Sequence, residues 1–409
     1  MSLDGDVIVR VAAKGDGVTA DGRHAPLAAP GDRLLGDGTL IAGPHRQVPP
    51  CRHFPGCGGC QLQHLDAESE ATFVTERVQG ALTGQGLSAT VRPALLSPPR
   101  TRRRATLHAE RRGRQVTLGF SEGASHRIID LAECHILLPS LFAVVAPLRT
   151  LLATALKDRS RADVHLAQVD QGVDVLIAGP IADGLAAAEG LTRFAQSHGL
   201  ARLSIDDGYG AEARWEPEPV TITLGGVPVP FPAGSFLQAT ADGEAALVAA
   251  VDAAIGSAAI VADLFAGLGT FTFTRPARTR VYAGEAGREA IMALKAAAGR
   301  AGRVVAADHR DLFRRPLTPA EAERFDAIIL DPPRAGAREQ ATTLAQAKTP
   351  VIAYISCNPS SFARDAKMLC EGGYQLDWVQ PVGQFRWSTH VELVARFVRD
   401  DVTPDSPRR

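Results

Sequence analysis

From about residue 231 to residue 400 the chain alternates short apolar runs with amphipathic stretches. The apolar runs fall at 259–264, 281–284, 303–307, 326–330, 351–356 and 391–398, and the amphipathic stretches at 241–255, 287–299, 338–347 and 361–371. Strands alternating with helices predict an α/β architecture with a mostly parallel, doubly wound sheet. The first 47 residues read differently. Val7-Ile-Val-Arg-Val11 is followed by turn signals at Gly15-Asp-Gly17, Asp21-Gly22, Pro30-Gly-Asp32 and Gly36-Asp-Gly38, which predicts a small β-barrel or meander. Gln47-Val-Pro-Pro50 reads as a linker. A cysteine-bearing segment follows, then a helical pattern to about Leu82, arginine-rich strands, a helix over about 140–157, and alternating segments such as Val164–Val169 and Val173–Ile177. Together these predict an α+β middle domain. The expected organisation is therefore 1–47, 48–230 and 231–400, with a polar tail at 401–409.

Composition changes this picture in two ways. At 409 residues and 45% hydrophobic content the chain can build several cores and is not disordered. Its formal net charge is −1, yet of 44 basic residues only five are lysine, leaving 39 arginines. Nine of those arginines lie between Arg92 and Arg127 against only Glu110 and Glu122. Arginine forks suit phosphate recognition, while a solvated hairpin with spare charge is the plain alternative. Met1-Ser-Leu-Asp-Gly-Asp6 lacks the basic start and apolar core of a signal peptide, and no run reaches transmembrane length. The expected compartment is the reducing cytoplasm, with no membrane partner and a monomeric protein. Six cysteines in that compartment argue for metal or catalytic use rather than disulfides.

The candidate chemistry gathers at strand ends. Val351–Ser356 runs into Cys357-Asn-Pro359, which sets a thiol at the carboxyl end of a buried strand, where open α/β sheets hold ligands. Cys357 is read as a nucleophile. An isolated cysteine there would more simply be core filler, but its company weighs against that. Asp331 ends the previous strand before Pro332-Pro-Arg334, and Glu392 opens the last one. Upstream, Gly267-Leu-Gly269 follows a strand, but Thr272 stands where a dinucleotide fingerprint needs its third glycine. Glu285 ends the next strand, where an acid can accept hydrogen bonds from a ribose. A nucleoside ligand without a diphosphate fits, and S-adenosylmethionine is one. Asp311 is placed to reach the adenine, with Asp308 competing and a helix-capping role open to either. Cys51, Cys57 and Cys60, with Cys134, form a four-thiol set suited to an iron–sulfur cluster or a structural zinc. Cys370 and His390 read as packing residues.

The sequence resembles the RNA uracil-C5 methyltransferases, specifically the iron–sulfur-containing branch acting on large-subunit ribosomal RNA. Its likeness is carried by DLFAGLGTF at 263–271, LDPPRAG at 330–336, SCNPSSFARD at 356–365 and THVE at 389–392. The resemblance implies a class I S-adenosylmethionine methyltransferase sheet, a middle domain holding a [4Fe-4S] cluster on Cys51, Cys57, Cys60 and Cys134, and a reduced TRAM-like barrel at the start. It implies S-adenosyl-L-methionine contacts from Gln238, Phe265, Thr270, Glu285, Asp311 and Asp331, with Cys357 as nucleophile and Glu392 as base. Its implied partner is an RNA loop presenting a flipped uridine, in ribosomal RNA or, as the alternative, in tRNA. The chain departs from the family at Phe236-Leu-Gln-Ala-Thr240, Asp331-Pro-Pro-Arg334, Thr270 and Phe385-Arg-Trp387, none of which removes a group the chemistry needs. Amino-group methylation, suggested by Asp331-Pro-Pro333, usually places an aromatic residue where Arg334 stands. A non-catalytic iron–sulfur RNA-binding protein would have no use for Cys357 and Glu392.

Overall fold

The computed structural model describes residues 5–123 and 125–399; the expected tail at 401–409 lies outside them. At the amino end five short antiparallel strands pair in the order His24–Ala25, Gly17–Thr19, Asp6–Val11, Arg33–Leu34 and Leu40–Ile41. The expected barrel is an open ladder, because its two outermost strands do not pair with each other among the described residues. Ile8, Ala25, Ala28 and Leu34 form a core too small to hold this sheet alone. Buried Asp32 ties it together by accepting from the amides of Ala29 and Gly43 and pairing with Arg46.

Six strands make the middle sheet, in the order Ala211–Trp215, Arg202–Asp206, Gly172–Ala178, Arg161–Val169, Arg104–Arg112 and Gln115–Gly119. Period-two alternation decides its faces. Ala105, Leu107 and Ala109 point into a core with Leu141, Leu148 and Leu152 of the helices Pro139–Ala143 and Val145–Ala155, so Arg104, Thr106, His108 and Glu110 occupy the opposite face.

The largest sheet has nine strands. Across it run Val305–His309, Arg280–Glu285, Ile260–Leu264, Ala327–Leu330, Val351–Ser356, Glu392–Val398, Gln375–Gly383 and Thr90–Val91, with Leu95–Leu96 also pairing to Gln375–Gly383. The first five are parallel neighbours, and Glu392–Val398 is antiparallel to both of its neighbours. Apolar residues alternate between faces within each central strand. Ile328, Leu330, Ile352 and Tyr354 pack on one side with Phe362 and Leu369 of the helix Pro359–Glu371; Ala327, Ile329, Ala353 and Ile355 pack on the other with Leu247 and Val251 of the helix Ala241–Ile255. Burial on both faces explains why these strands read as continuous apolar runs.

All six expected strands of this region form, within two residues of their expected bounds, as do three of its four expected helices; the fourth, expected at 338–347, ends at Leu344. Gln375–Gly383 was not anticipated. Its buried run is interrupted by Asp377 and contains Gln380 and Pro381, and that polar content masks the strand signal. Packing also crosses the boundary expected at 230. The helix Ala67–Thr83 buries Phe73, Val74, Val78 and Leu82 in the same core as Leu369 and Val379, and the strands at 90–91 and 95–96 extend this nine-stranded sheet. No helix among the described residues is long and apolar enough to cross a membrane.

Candidate active site

The strand order reverses between Ile260–Leu264 and Ala327–Leu330, and open α/β sheets hold their ligands beyond the carboxyl ends at such a reversal. Phe265 leaves the first of these strands with φ 63°, a left-handed conformation unusual for an aromatic residue, and its ring meets Phe313 at 5.3 Å. Gly269, at φ 95°, caps the short helix Thr270–Thr274; a Cβ there would lie 2.7 Å from the Phe273 ring. Glu285 sits across the turn, accepting from the amides of Gly267 (3.0 Å) and Gly287 (2.6 Å). The two competing acids differ in their partners. Asp308 receives the Tyr282 hydroxyl at 2.6 Å, whereas Asp311, among the described residues, accepts from the amides of Phe313 and Arg314 in its own turn and pairs with exposed Arg314.

The thiol and the acid meet through strand register. The antiparallel ladder between Val351–Ser356 and Glu392–Val398 ends with Ser356 opposite Leu393, so the next pair outward is Cys357 opposite Glu392. Asn358 caps the following helix by accepting from the Ser360 amide at 3.1 Å, with Pro359 in its first turn. Its side-chain amide and the Ser361 hydroxyl both donate to the Arg334 carbonyl at 3.1 Å, fastening the Asp331–Gly336 turn beside the thiol. Gly336 (φ 84°) is needed there, since a Cβ would sit 2.5 Å from the Asp365 carboxylate.

Cys357, Glu392 and Asp331 lie near enough for their charges to act on one another. Burial, then the Glu392 and Asp331 carboxylates, push the Cys357 thiol up to about 11, while Arg334 opposes them. Burial raises Glu392 to about 7, with Gln384 and Arg104 pulling the other way. Asp331 is raised well above the carboxylate range by burial and by Glu392, Asp263 and Glu285. Gln238 joins through Gln384, whose amide donates to the Gln238 side-chain oxygen at 2.9 Å and accepts from the Ala239 amide at 2.9 Å.

Sequence reasoning missed Gln384 and Arg104. Gln384 precedes Phe385-Arg-Trp387, and nothing in its spacing separates it from its neighbours. Arg104 lies in the run read for phosphate recognition, and three residues of that run turn inward instead. Arg103 donates to the Gln238 carbonyl at 3.0 Å and pairs with Glu244, Arg104 donates to the Leu237 carbonyl, and Arg102 donates to the Arg104 carbonyl at 3.1 Å. Arg100, Arg112, Arg114 and Arg127 stay exposed.

Cys51, Cys57, Cys60 and Cys134 are free thiols lining one small cavity with Phe54, Phe120, Leu131 and Ile136. Burial raises all four, Cys60 to about 12; neighbouring sulfurs raise Cys57, Cys60 and Cys134 further, and Glu133 does the same to Cys51. Such a set holds four thiolates only with a compensating cation, so the donors fit a thiolate-bound metal group. Among the described residues, however, no group of three or more His, Cys, Asp and Glu side chains is gathered as a metal-ion site.

Strand order, glycine turn and acid-tipped strands define a class I S-adenosylmethionine-dependent methyltransferase. The fold agrees with the solved Pyrococcus abyssi tRNA (uracil-54, C5)-methyltransferase bound to S-adenosyl-L-homocysteine, at TM-score 0.74 and 23% identity over 97% of this chain and 100% of that one. A family model described as tRNA (Uracil-5-)-methyltransferase matches residues 305–397. An RNA methyltransferase of Zymomonas mobilis is 51% identical over 393 residues, 96% of this chain and 99% of the relative. A 23S rRNA (uracil(1939)-C(5))-methyltransferase of Pectobacterium atrosepticum is 30% identical over 376 residues, 88% of this chain and 82% of the relative. The chain belongs to the RNA uracil-C5 methyltransferase family and is an S-adenosylmethionine-dependent enzyme of that class.

Proposed function

We propose that this enzyme forms 5-methyluridine in large-subunit ribosomal RNA through a transient bond between Cys357 and carbon 6 of the target uracil. The observation that carries the covalent step is the register setting Cys357 opposite Glu392. Carbon 5 of uracil is a weak nucleophile. Addition of the Cys357 thiolate to carbon 6 converts the ring to an enolate with an electron-rich carbon 5. S-adenosylmethionine, when bound, supplies the electrophilic methyl group. Gln238, Phe265, Thr270, Glu285, Asp311 and Asp331 are assigned to hold it. Carbon 5 then carries both methyl and hydrogen. Glu392, with its pKa raised to about 7, removes that proton; the electron pair re-forms the ring double bond and Cys357 leaves. Arg334 and Arg104 are the cations whose fields favour the thiolate. To touch both groups the uridine must leave its stack, so the substrate is a flipped base in a loop.

Ribosomal RNA is favoured by the Pectobacterium relative; tRNA is the second reading, favoured by the description of the matching family model. Nucleoside mass spectrometry of both RNAs from a deletion strain tests this, and loss of 5-methyluridine from tRNA alone would overturn the ribosomal assignment. RNA carrying 5-fluorouridine at the target tests the covalent step, since fluorine cannot leave as a proton. A stable adduct at Cys357 is expected, and its absence during normal methylation counts against the mechanism. The four cysteines are assigned a [4Fe-4S] cluster, supported by their shared cavity and all-thiol composition.

A further inference from the structure

Gln61, which the mechanism does not use, bridges the turn at the cysteine-lined cavity and the loop that leads to the base. Its amide nitrogen donates to the Gly58 carbonyl at 2.7 Å, inside the Cys57–Cys60 turn. Its amide oxygen faces the Ser388 hydroxyl at 3.3 Å and the Thr389 amide at 3.4 Å, in the loop leading into Glu392. The backbone reinforces the link, because the amides of Gln61 and Leu62 both donate to the Trp387 carbonyl, at 2.8 and 2.9 Å. Trp387 is buried in a left-handed conformation (φ 58°), and its amide donates to Glu70 of the helix Ala67–Thr83. A bulky residue keeps that conformation only when its surroundings impose it. The Arg102 guanidinium spans the same gap, 5.9 Å from the Phe120 ring on the cavity wall and 5.4 Å from the Phe385 ring in the loop.

We infer that Gln61 is a positioning residue coupling the Cys57–Cys60 turn to the loop that presents Glu392, so that the group held by the four thiols governs removal of the carbon 5 proton. This rests on the catalytic reading above. Gln61→Glu keeps an acceptor for Ser388 and Thr389 but cannot donate to Gly58; Gln61→Ala removes both contacts. In holoenzyme, both variants are expected to bind S-adenosylhomocysteine normally, to lose roughly ten- to hundredfold in kcat with little change in KM for RNA, and to accumulate the covalent protein–RNA adduct. Amide exchange over residues 385–391 should rise in Gln61→Glu, and unchanged exchange overturns the coupling. A raised KM at unchanged kcat overturns it too, making Gln61 an RNA-docking residue. Glu392→Gln, assayed in parallel, separates the two levels. If it traps adduct and the Gln61 variants do not, the coupling fails and the catalytic reading stands; if none of them traps adduct, both fail.

Discussion

Cys357 and the quartet of Cys51, Cys57, Cys60 and Cys134 suffer the same leading effect, burial that raises the thiol pKa, yet their surroundings assign them opposite work. Around Cys357, just past the carboxyl end of its strand, stand two carboxylates and the cationic Arg334. Around the quartet stand the aromatic and aliphatic walls of Phe54, Phe120, Leu131 and Ile136, with Gln63, Glu133 and His135 at its edge, and the sulfurs face one another. Two carboxylates and an arginine form a field that a docking base can rearrange, which suits a group that must bond and then leave. Four sulfurs converging on one small enclosed space, each raised by burial, suit a permanent metal ligand set rather than a group that must bond and leave. A raised thiol pKa alone therefore does not mark a nucleophile; the neighbours decide.

Four experiments sharpen or break that contrast. Cys357→Ala should abolish 5-methyluridine formation, measured by nucleoside mass spectrometry, while calorimetric binding of S-adenosylhomocysteine is kept; continued turnover would remove Cys357 from the chemistry. Cys60→Ser should lose the brown colour and about four irons of the anaerobically purified protein, as four-thiolate ligation implies, and melt lower; a colourless wild type containing zinc would reassign the quartet. Glu392→Gln should trap the adduct on denaturing gels and also change stability. The native state raises this acid from 4.5 to about 7, so wild type loses stability as pH climbs through that window. The amide variant should gain up to about 3 kcal/mol at pH 8, fading towards pH 4. Equal melting shifts at both pH values would contradict the burial. Asp311→Asn should weaken cofactor binding about tenfold, the loss of one charge-assisted hydrogen bond, whereas Asp308→Asn, already engaged by Tyr282, should not. The reverse ranking would exchange their roles.

How much of this was legible in the sequence follows from which forces are local. The strands at 327–330 and 351–356 were readable because burial on both faces requires apolar runs, and 260–264 because only the buried Asp263 interrupts its run; the glycine turn and terminal acids follow from strand ends that must be short and polar. Gln375–Gly383 was hidden by its polar residues. The inward turn of Arg102, Arg103 and Arg104 was hidden because composition reports charge and not direction.

The sequence by itself determined the parallel sheet, the order of its motifs and the residue types of the site, since each depends on periodicity or on chemistry a single residue carries. Only the tertiary structure decided that Cys357 faces Glu392, that residues 67–96 complete the catalytic sheet, and that Gln61 bridges the cysteine turn to the base. Register and long-range packing depend on pairs of residues far apart in the chain, and no local pattern encodes such a pair.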